Sequence, residues 1–231
     1  MLWSIVLQVQ GVQLPQAAEP AAESLTLSFW DLALKGGGIM VPLALLWVIG
    51  LYIFFERFWS IRRASQIDGN FMDRIREFIL EDKIDAARNL CHSRRSPVAN
   101  MIAKGIDRMG RPMQDLNTAV ENVGNLEVAK LEKGLPMLAT IAGGAPMIGF
   151  LGTVIGMIQA FYDMSMAGNN IDVGLLSSGI YTAMVTTVGG LIVGIMAYFG
   201  YNYLVARIER VIFQLEANAL EFMDLLNEPI A

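Results

Sequence analysis

Hydroxyl side chains at helical spacing are the main polar groups of two long apolar segments. Thr153 lies within a row of small residues that recur every three or four positions. Thr187 lies in a similar row of the next segment, with Thr182 and Thr186 in a neighbouring row. Such spacing places residues on one face of a helix. The sequence therefore predicts a narrow polar pore, a proton pathway lined by Thr153, Thr182, Thr186 and Thr187.

The small residues in these rows permit close approach between helix backbones. Lipid provides no hydrophobic drive for helix association, so membrane helices meet through small side chains. An alternative interpretation is that the rows serve packing alone, with each threonine bonded to its own helix. Interhelical polar contacts average only about 0.6 kcal/mol, which is a weak reason to have so many hydroxyls. We expect the following residues to pack the helices around a partner: Gly149, Gly152, Gly156, Ala183, Gly190 and Gly194.

A proton pathway also requires a group that titrates. The segments that carry these threonines, residues 134–162 and 173–206, contain no Asp, Glu, His, Lys or Arg. An ionisable group at the bilayer centre costs about 2.5–3.5 kcal/mol and is a usual mark of proton relays. If this chain conducts protons, a partner protein must supply the carboxylate.

The other reactive residue types form no catalytic or metal-binding set. The only cysteine and the only histidine, Cys91 and His92, are neighbours in a predicted amphipathic helix and cannot hold a metal. Asp163 and Asp172 flank a short loop, where we expect solvated side chains, with cation collection as the alternative. No P-loop or nucleophile elbow occurs, so we expect no enzyme activity, cofactor or metal. Four glutamates are expected to pair with nearby basic residues: Glu56, Glu121, Glu127 and Glu132.

The composition indicates what must position these groups. Of 231 residues, 54% are apolar and only 17% are charged, against about 25% in soluble domains. Three runs without charge cover residues 36–55, 134–162 and 173–206. About 20 apolar residues in a helix cross the roughly 30 Å bilayer core. The sequence therefore predicts an all-α integral membrane protein with three spanning helices and excludes an ordinary soluble enzyme.

Basic residues predict the orientation. Of the 17 Lys and Arg residues, 14 lie between Arg57 and Lys133, and two follow the third run. Positive charge stays in the cytoplasm, so the C-terminus is expected inside and the N-terminus outside. These charges alternate with acids, which leaves no patch for nucleic acid. The predicted order is a periplasmic segment with an interfacial helix (1–35), a span (36–55), a cytoplasmic helical region (56–133), a span (134–162), a periplasmic loop (163–172), a span (173–206) and a cytoplasmic helix (207–231).

The second and third runs are longer than a bilayer requires. Their 29 and 34 residues correspond to about 43 and 51 Å of helix. The apolar length that extends beyond the bilayer must be shielded from water, and we expect other copies of the same helices to shield it in a cytoplasmic bundle. Between the first two spans, apolar residues recur at helical spacing in 71–79, in 84–91 and after Pro97. Residues 113–133 are predicted to form one helix that leads into the second span.

Two segments resemble the signatures of the ExbB/TolQ/MotA family of proton-driven motor subunits. Residues 138–161, with Gly152-Thr153-Val154 at their core, resemble the second-helix signature, and residues 182–194 resemble the third-helix signature. The similarity covers roughly residues 30–226 and is strongest to the ExbB branch. Three spans distinguish the chain from the four-span flagellar stator subunits.

The resemblance implies a homo-pentamer in the inner membrane of a Gram-negative cell. It places in the pore two single-span ExbD-like helices, each with an aspartate, and it implies that the complex energises a TonB-like protein for outer-membrane import. The family's pore threonines match Thr153 and Thr187. Many relatives have a glutamate where this chain has Thr182, so the resemblance assigns the proton step to the partner alone.

Two alternatives stay open at this point. A TolQ-like subunit would serve envelope maintenance through a TolA-like partner. A non-conducting scaffold would clamp partner helices with the same small-residue rows and carry no proton flux.

Overall fold

Helices account for the regular structure. A computed structural model describes residues 36–65, 69–94, 96–166 and 173–227. No strand occurs in these residues, which confirms the predicted all-α fold class. The predicted interfacial helix in residues 1–35 and the loop residue Asp172 lie outside the described residues. The α-helices are α1 (Met40–Ala64), α2 (Phe71–Leu80), α3 (Ile84–Ser93), α4 (Pro97–Ile106), α5 (Met113–Glu132), α6 (Leu135–Met166) and α7 (Val173–Asn227).

Three stretches of helix are long and apolar enough to cross a membrane. They are Gly37–Ala64, Met113–Met166 and Leu176–Asn227, with mean hydropathies of 2.3, 1.8 and 1.8 over their most apolar windows. This agrees with the three predicted spans. Large apolar side chains such as Met147, Phe150 and Phe199 are exposed along them, as lipid-facing or subunit-facing positions require.

A turn separates α5 from α6. Lys133 has an extended backbone (φ −53°, ψ 125°), and Gly134 has a φ of +87°, which side-chain-bearing residues rarely adopt. Pro136 follows within the first turn of α6, where the missing N–H costs no helical hydrogen bond. The helix over 113–133 therefore does not run straight into the second span, because Gly134 redirects the chain.

The third span is one end of a much longer helix. α7 has 55 residues, which is about 80 Å of helix against roughly 30 Å of bilayer core. The predicted C-terminal helix is thus continuous with the span as far as Asn227. Near that end Phe222 is fully buried, and a Cβ added at Gly105 of α4 would collide with its ring. Through this contact the C-terminal end of α7 packs against α4.

The short helices α2, α3 and α4 lie where the apolar spacing predicts helices. Their inward faces are buried, with Ile75, Ala87 and Ile102 inaccessible to solvent. α4 begins with a capped turn, in which the Ser96 hydroxyl accepts a hydrogen bond from the Ala99 N–H at 3.2 Å. Together with α5 and the end of α7 they form a helical unit beside the spans.

α1 packs against both of the other spans. Gly50 faces Ile141 and Leu138 of α6, and Phe54 lies against Gly200 of α7. At the start of the chain's described part, Gly37 has a φ of +67° and turns the backbone into α1. α6 and α7 pack most extensively, and their contact contains the candidate site.

Candidate functional site

The small-residue rows of α6 and α7 face each other within one chain. A Cβ added at Gly149 would lie 3.1 Å from the Gly190 Cα, and one added at Gly190 would lie 2.6 Å from the Ala145 carbonyl oxygen. Both distances are shorter than a side chain accepts without displacement of backbone. The two helices therefore touch through their backbones at this point, as small-residue pairs permit.

The close contact extends for several turns in both directions. Towards one end, an added Cβ at Gly156 would lie 2.9 Å from the Ala183 Cβ, and one at Gly179 would lie 2.5 Å from the Ala160 Cβ. Towards the other, Gly194 lies against the Pro146 ring. Residue numbers rise on one helix as they fall on the other, so the pair is an antiparallel hairpin. The six residues predicted to pack around a partner all lie in this intrachain contact, and their role around a partner stays a prediction.

Thr186 and Thr187 share one acceptor across the helix contact. The Thr187 hydroxyl donates to the Gly149 carbonyl oxygen at 3.1 Å. The Thr186 hydroxyl donates to the Ala183 carbonyl at 2.7 Å and lies 3.4 Å from the same Gly149 oxygen. Thr186 is only 2% exposed and lies against Gly152 of α6. Within the single chain its side chain is covered, whereas Thr187 is half-buried.

Thr153 lies one turn after Gly149 on α6 and is also half-buried. Its hydroxyl donates to the Phe150 carbonyl of its own helix at 2.7 Å. Back-bonding, which the packing interpretation expects of every threonine, thus holds for Thr153, while Thr187 bonds across to the other helix. A hydroxyl has one proton and two lone pairs. With the proton donated to a backbone carbonyl, each of these side chains still offers its oxygen as an acceptor.

Thr182 differs from the other three threonines. It is half-buried, and its methyl group would lie 3.9 Å from a Cβ at Gly37, near the start of α1. Within the described residues its hydroxyl forms no hydrogen bond. The structure therefore places it on the side of α7 that faces α1, while Thr186 and Thr187 face α6. Its place in a pore lining stays a prediction.

Several charged groups next to the spans bind to one another or to backbone carbonyls of the same chain. Arg57 is 9% exposed, pairs with Glu56, and donates to the Lys130 carbonyl of α5 at 3.0 Å. Glu127 accepts from the Lys130 ammonium at 2.6 Å and from the Asn100 amide at 3.2 Å. The predicted pairing is thus present for Glu56 and Glu127. In the described part of the chain, Glu121 and Glu132 form no ion pair.

The remaining candidates do not assemble into a site. Cys91 is 1% exposed, and burial raises the pKa of its thiol to about 11, so it is a structural core residue. His92 is exposed beside it. Among residues 36–65, 69–94, 96–166 and 173–227, no cluster of His, Cys, Asp or Glu suits a metal ion.

Three helices of the described residues are long and apolar enough to span a membrane, and residues 134–162 and 173–206 of the hairpin contain hydroxyls but no Asp, Glu, His, Lys or Arg. These features define a helical membrane protein. The chain belongs to the MotA/TolQ/ExbB proton channel family, whose family model matches residues 93–217. That region includes α4, α5, α6 and α7 as far as residue 217. The family is one of proton channels and not of enzymes.

Relatives with two different names are similar to this chain. A putative biopolymer transport protein ExbB-like 1 of Synechocystis sp. is 29% identical over 84% of this chain and 77% of the relative. The biopolymer transport protein ExbB of Aquifex aeolicus is 34% identical over 50% of this chain and 77% of the relative. The Tol-Pal system protein TolQ of Pseudomonas aeruginosa is 26% identical over 88% of this chain and 94% of the relative. These similarities support an ExbB-like member of the family.

The acceptor shared by Thr186 and Thr187 cannot be predicted from residue types, because it is the backbone carbonyl of Gly149. The sequence signal for it is the pair of glycines Gly149 and Gly190, which permit backbone contact and so allow a hydroxyl on one helix to reach a carbonyl on the other.

Proposed function

We propose that this chain is the proton-channel subunit of an inner-membrane motor, which uses the proton motive force to energise TonB-dependent import at the outer membrane. The observation that carries the proposal is a hairpin with hydroxyls in its helix contact and no Asp, Glu, His, Lys or Arg in residues 134–162 and 173–206. Membership of a proton channel family supports it. The ExbB-named relatives favour the import role over other motor roles.

The chemistry of the hairpin favours a carboxylic acid from a partner. Thr153 and Thr187 donate their protons to backbone carbonyls, so each offers an oxygen that accepts hydrogen bonds. A protonated aspartic acid donates one hydrogen bond, whereas an aspartate only accepts. The neutral acid is therefore stabilised beside these threonines, and the charged form is penalised. Movement of a partner helix past Thr153 and Thr187 therefore becomes coupled to protonation of the partner's aspartate.

We propose that the partner is an ExbD-like single-span protein and that the chain surrounds it as a homo-pentamer. Space for close approach exists on the exposed side of α6, where nothing lies within 4 Å of a Cβ added at Gly143 or Gly144. Of the pore residues proposed, Thr153 and Thr187 are half-buried and able to face such a helix, whereas Thr182, also half-buried, lies towards α1 and needs a different position of the partner. Thr186 contributes by its contact with Gly149. A TonB-like protein would receive the motion.

The proposed location is the bacterial inner membrane, with a periplasmic N-terminus and a cytoplasmic C-terminus. The concentration of basic residues between Arg57 and Lys133 supports this orientation, because positive loops stay in the cytoplasm. The accessibility of cysteines introduced on either side of the spans tests this orientation without a measurement of proton flux.

The decisive experiment is proton flux into liposomes that contain this chain and its co-expressed single-span partner. An Asp→Asn change in the partner helix should abolish flux. Thr153→Val and Thr187→Val preserve shape and remove the hydroxyl, so each should reduce flux at least tenfold. Thr118→Val is the matched control, because Thr118 lies on α5 and also bonds back to its own helix, at 2.8 Å from the Gln114 carbonyl.

Two results would contradict the proposal. Flux that survives the Asp→Asn change would mean that the partner does not supply the titrating group. Absence of flux from a correctly assembled complex under an imposed gradient would favour a non-conducting scaffold.

A TolQ-like role in envelope maintenance is the second candidate. The Pseudomonas aeruginosa TolQ similarity, which spans 94% of that protein, favours it specifically. Deletion of the gene separates the two: loss of energised uptake supports the import motor, and defective envelope constriction supports the TolQ-like role.

A further inference from the structure

A groove between α1 and α7 contains two cavities of different chemical character. The first, of about 370 Å³, is lined almost wholly by apolar side chains, among them Leu46 and Phe54 of α1 and Val193 of α7. The second, of about 390 Å³, is lined by a mixture of apolar and polar side chains, and two of these are basic, Arg62 of α1 and Arg207 of α7. Both helices line each cavity, and Leu138 and Ile141 of α6 complete the apolar one.

The two cavities lie end to end along the helices. Phe54 lines the apolar cavity, and its ring stacks on Phe58 with centroids 6.1 Å apart. Phe58 lines the basic cavity and stacks on Tyr203, again at 6.1 Å. Since Phe54 and Phe58 are one helical turn apart, the basic cavity begins where the apolar one ends. The stacked rings form a common wall.

The apolar cavity has the length of one bilayer leaflet. On α1 its lining runs from Leu46 to Phe55, which is about 15 Å of helix. Half of a roughly 30 Å hydrocarbon core is the same length. The basic cavity then lies at the level where lipid headgroups meet water.

The two arginines of the basic cavity are available to an anion. Arg207 donates to the Tyr203 hydroxyl at 3.0 and 3.2 Å and lies over its ring, 5.3 Å from the centroid. Neither Arg62 nor Arg207 pairs with a carboxylate anywhere in the described part of the chain, whereas Arg57 and Arg88 do. Ser65 adds a hydroxyl to the same cavity.

We propose that this groove binds an anionic phospholipid, with an acyl chain in the apolar cavity and the phosphate between Arg62 and Arg207. The order of the cavities favours a lipid, because a single ligand must have an apolar chain that fills the first cavity and a charged group that reaches the second. The two guanidinium groups, neither of which has a carboxylate partner among the described residues, select an anionic headgroup, since each arginine near a membrane surface contributes roughly a fivefold preference. Binding here does not depend on proton conduction.

Trp47, which lines the apolar cavity, provides the probe. The full chain is prepared with Trp3→Phe, Trp30→Phe and Trp59→Phe, so that fluorescence reports on Trp47 alone. It is reconstituted into phosphatidylcholine vesicles with rising fractions of brominated phosphatidylglycerol or brominated phosphatidylcholine. Bromine quenches tryptophan at contact, so we expect several-fold tighter apparent binding for the brominated phosphatidylglycerol.

Variants assign the headgroup contact. Arg62→Gln and Arg207→Gln should each reduce the preference for the anionic lipid about fivefold, and Arg62→Lys should retain most of it. Arg63→Gln is the matched control, because Arg63 is exposed and adjacent but does not line the cavity. Inorganic phosphate should not compete.

Three results would overturn the proposal. Equal quenching by the two lipids would remove the anionic preference, and an equal loss in Arg63→Gln would remove its assignment to this cavity. Quenching by neither lipid would mean that a second copy of the chain, or another protein, covers the groove.

Discussion

The Thr187 hydroxyl on α7 donates a hydrogen bond to the Gly149 carbonyl oxygen on α6, at 3.1 Å. The bond exists only because the two backbones touch: a Cβ at Gly149 would lie 3.2 Å from the Thr187 Cα. The small residues and the hydroxyls therefore form one structural unit. The small residues allow α6 and α7 to touch, and the hydroxyl oxygens lie within that contact.

The first prediction concerns what the Thr187 hydroxyl contributes. Thr187→Val should change the free energy of unfolding by only about 0.6 kcal/mol, the average for interhelical polar contacts in membranes. Proton flux through the assembled complex should nevertheless fall at least tenfold. Thr187→Ser retains the hydroxyl and should retain flux. Unfolding titrations and flux assays on the same preparations separate the two effects, and equal flux in the Val and Ser variants would assign Thr187 to packing alone.

The second prediction concerns the backbone contact. In Gly190→Ala the new methyl group would lie 2.6 Å from the Ala145 carbonyl, so the helices must separate. Overpacking of this kind costs about 1–3 kcal/mol. Gly143→Ala adds the same methyl group on the same hairpin, where nothing lies within 4 Å, and should leave stability unchanged. Denaturant titration in detergent measures both, and equal midpoints would contradict the contact.

The third prediction concerns the buried Arg57. Its guanidinium bridges α1 to the Lys130 carbonyl and pairs with Glu56. Arg57→Ala leaves both groups without that partner, and we expect a loss of about 1–3 kcal/mol in the free energy of unfolding. Arg63→Ala, at an exposed position six residues further along the same helix, should stay within about 0.5 kcal/mol of the parent protein. A similar loss in both variants would show that removal of a positive charge from this end of α1, and not the bridge, is responsible.

The fourth prediction concerns alkaline pH. Burial raises the pKa of the Cys91 thiol from 9.0 to about 11 in the folded chain. Between these values the unfolded chain loses the proton and the folded chain keeps it, so the stability associated with Cys91 is present below pH 9 and declines towards pH 11. The Cys91→Ala variant should lose less stability between pH 8 and pH 10 than the parent protein. Parallel declines in the two proteins would contradict a buried neutral thiol.

The spans and the hairpin face were predictable because each rests on local composition or spacing. Charge-free runs indicate the three apolar helices, and steps of three and four residues identify Gly149, Gly156 and Gly190, which the structure places on the contacting faces. The break at Gly134 was harder to predict from sequence. A left-handed residue between two segments of high helix propensity is required only because α5 and α6 run in different directions. The separation of Thr182 from Thr187 was also not predictable, because it depends on where α1 docks.

Composition and spacing alone predict a helical chain with three segments long and apolar enough to cross a membrane, and residues 36–55, 134–162 and 173–206 contain no Asp, Glu, His, Lys or Arg. These follow from burial energetics, since 30 Å of hydrocarbon excludes charge and unpaired backbone. Tertiary structure is needed to show that Thr187 bonds to the Gly149 carbonyl and that Arg62 and Arg207, beside the apolar groove, have no carboxylate partner among the described residues. Those relationships depend on the relative position of helices distant in sequence, which composition and periodicity do not specify.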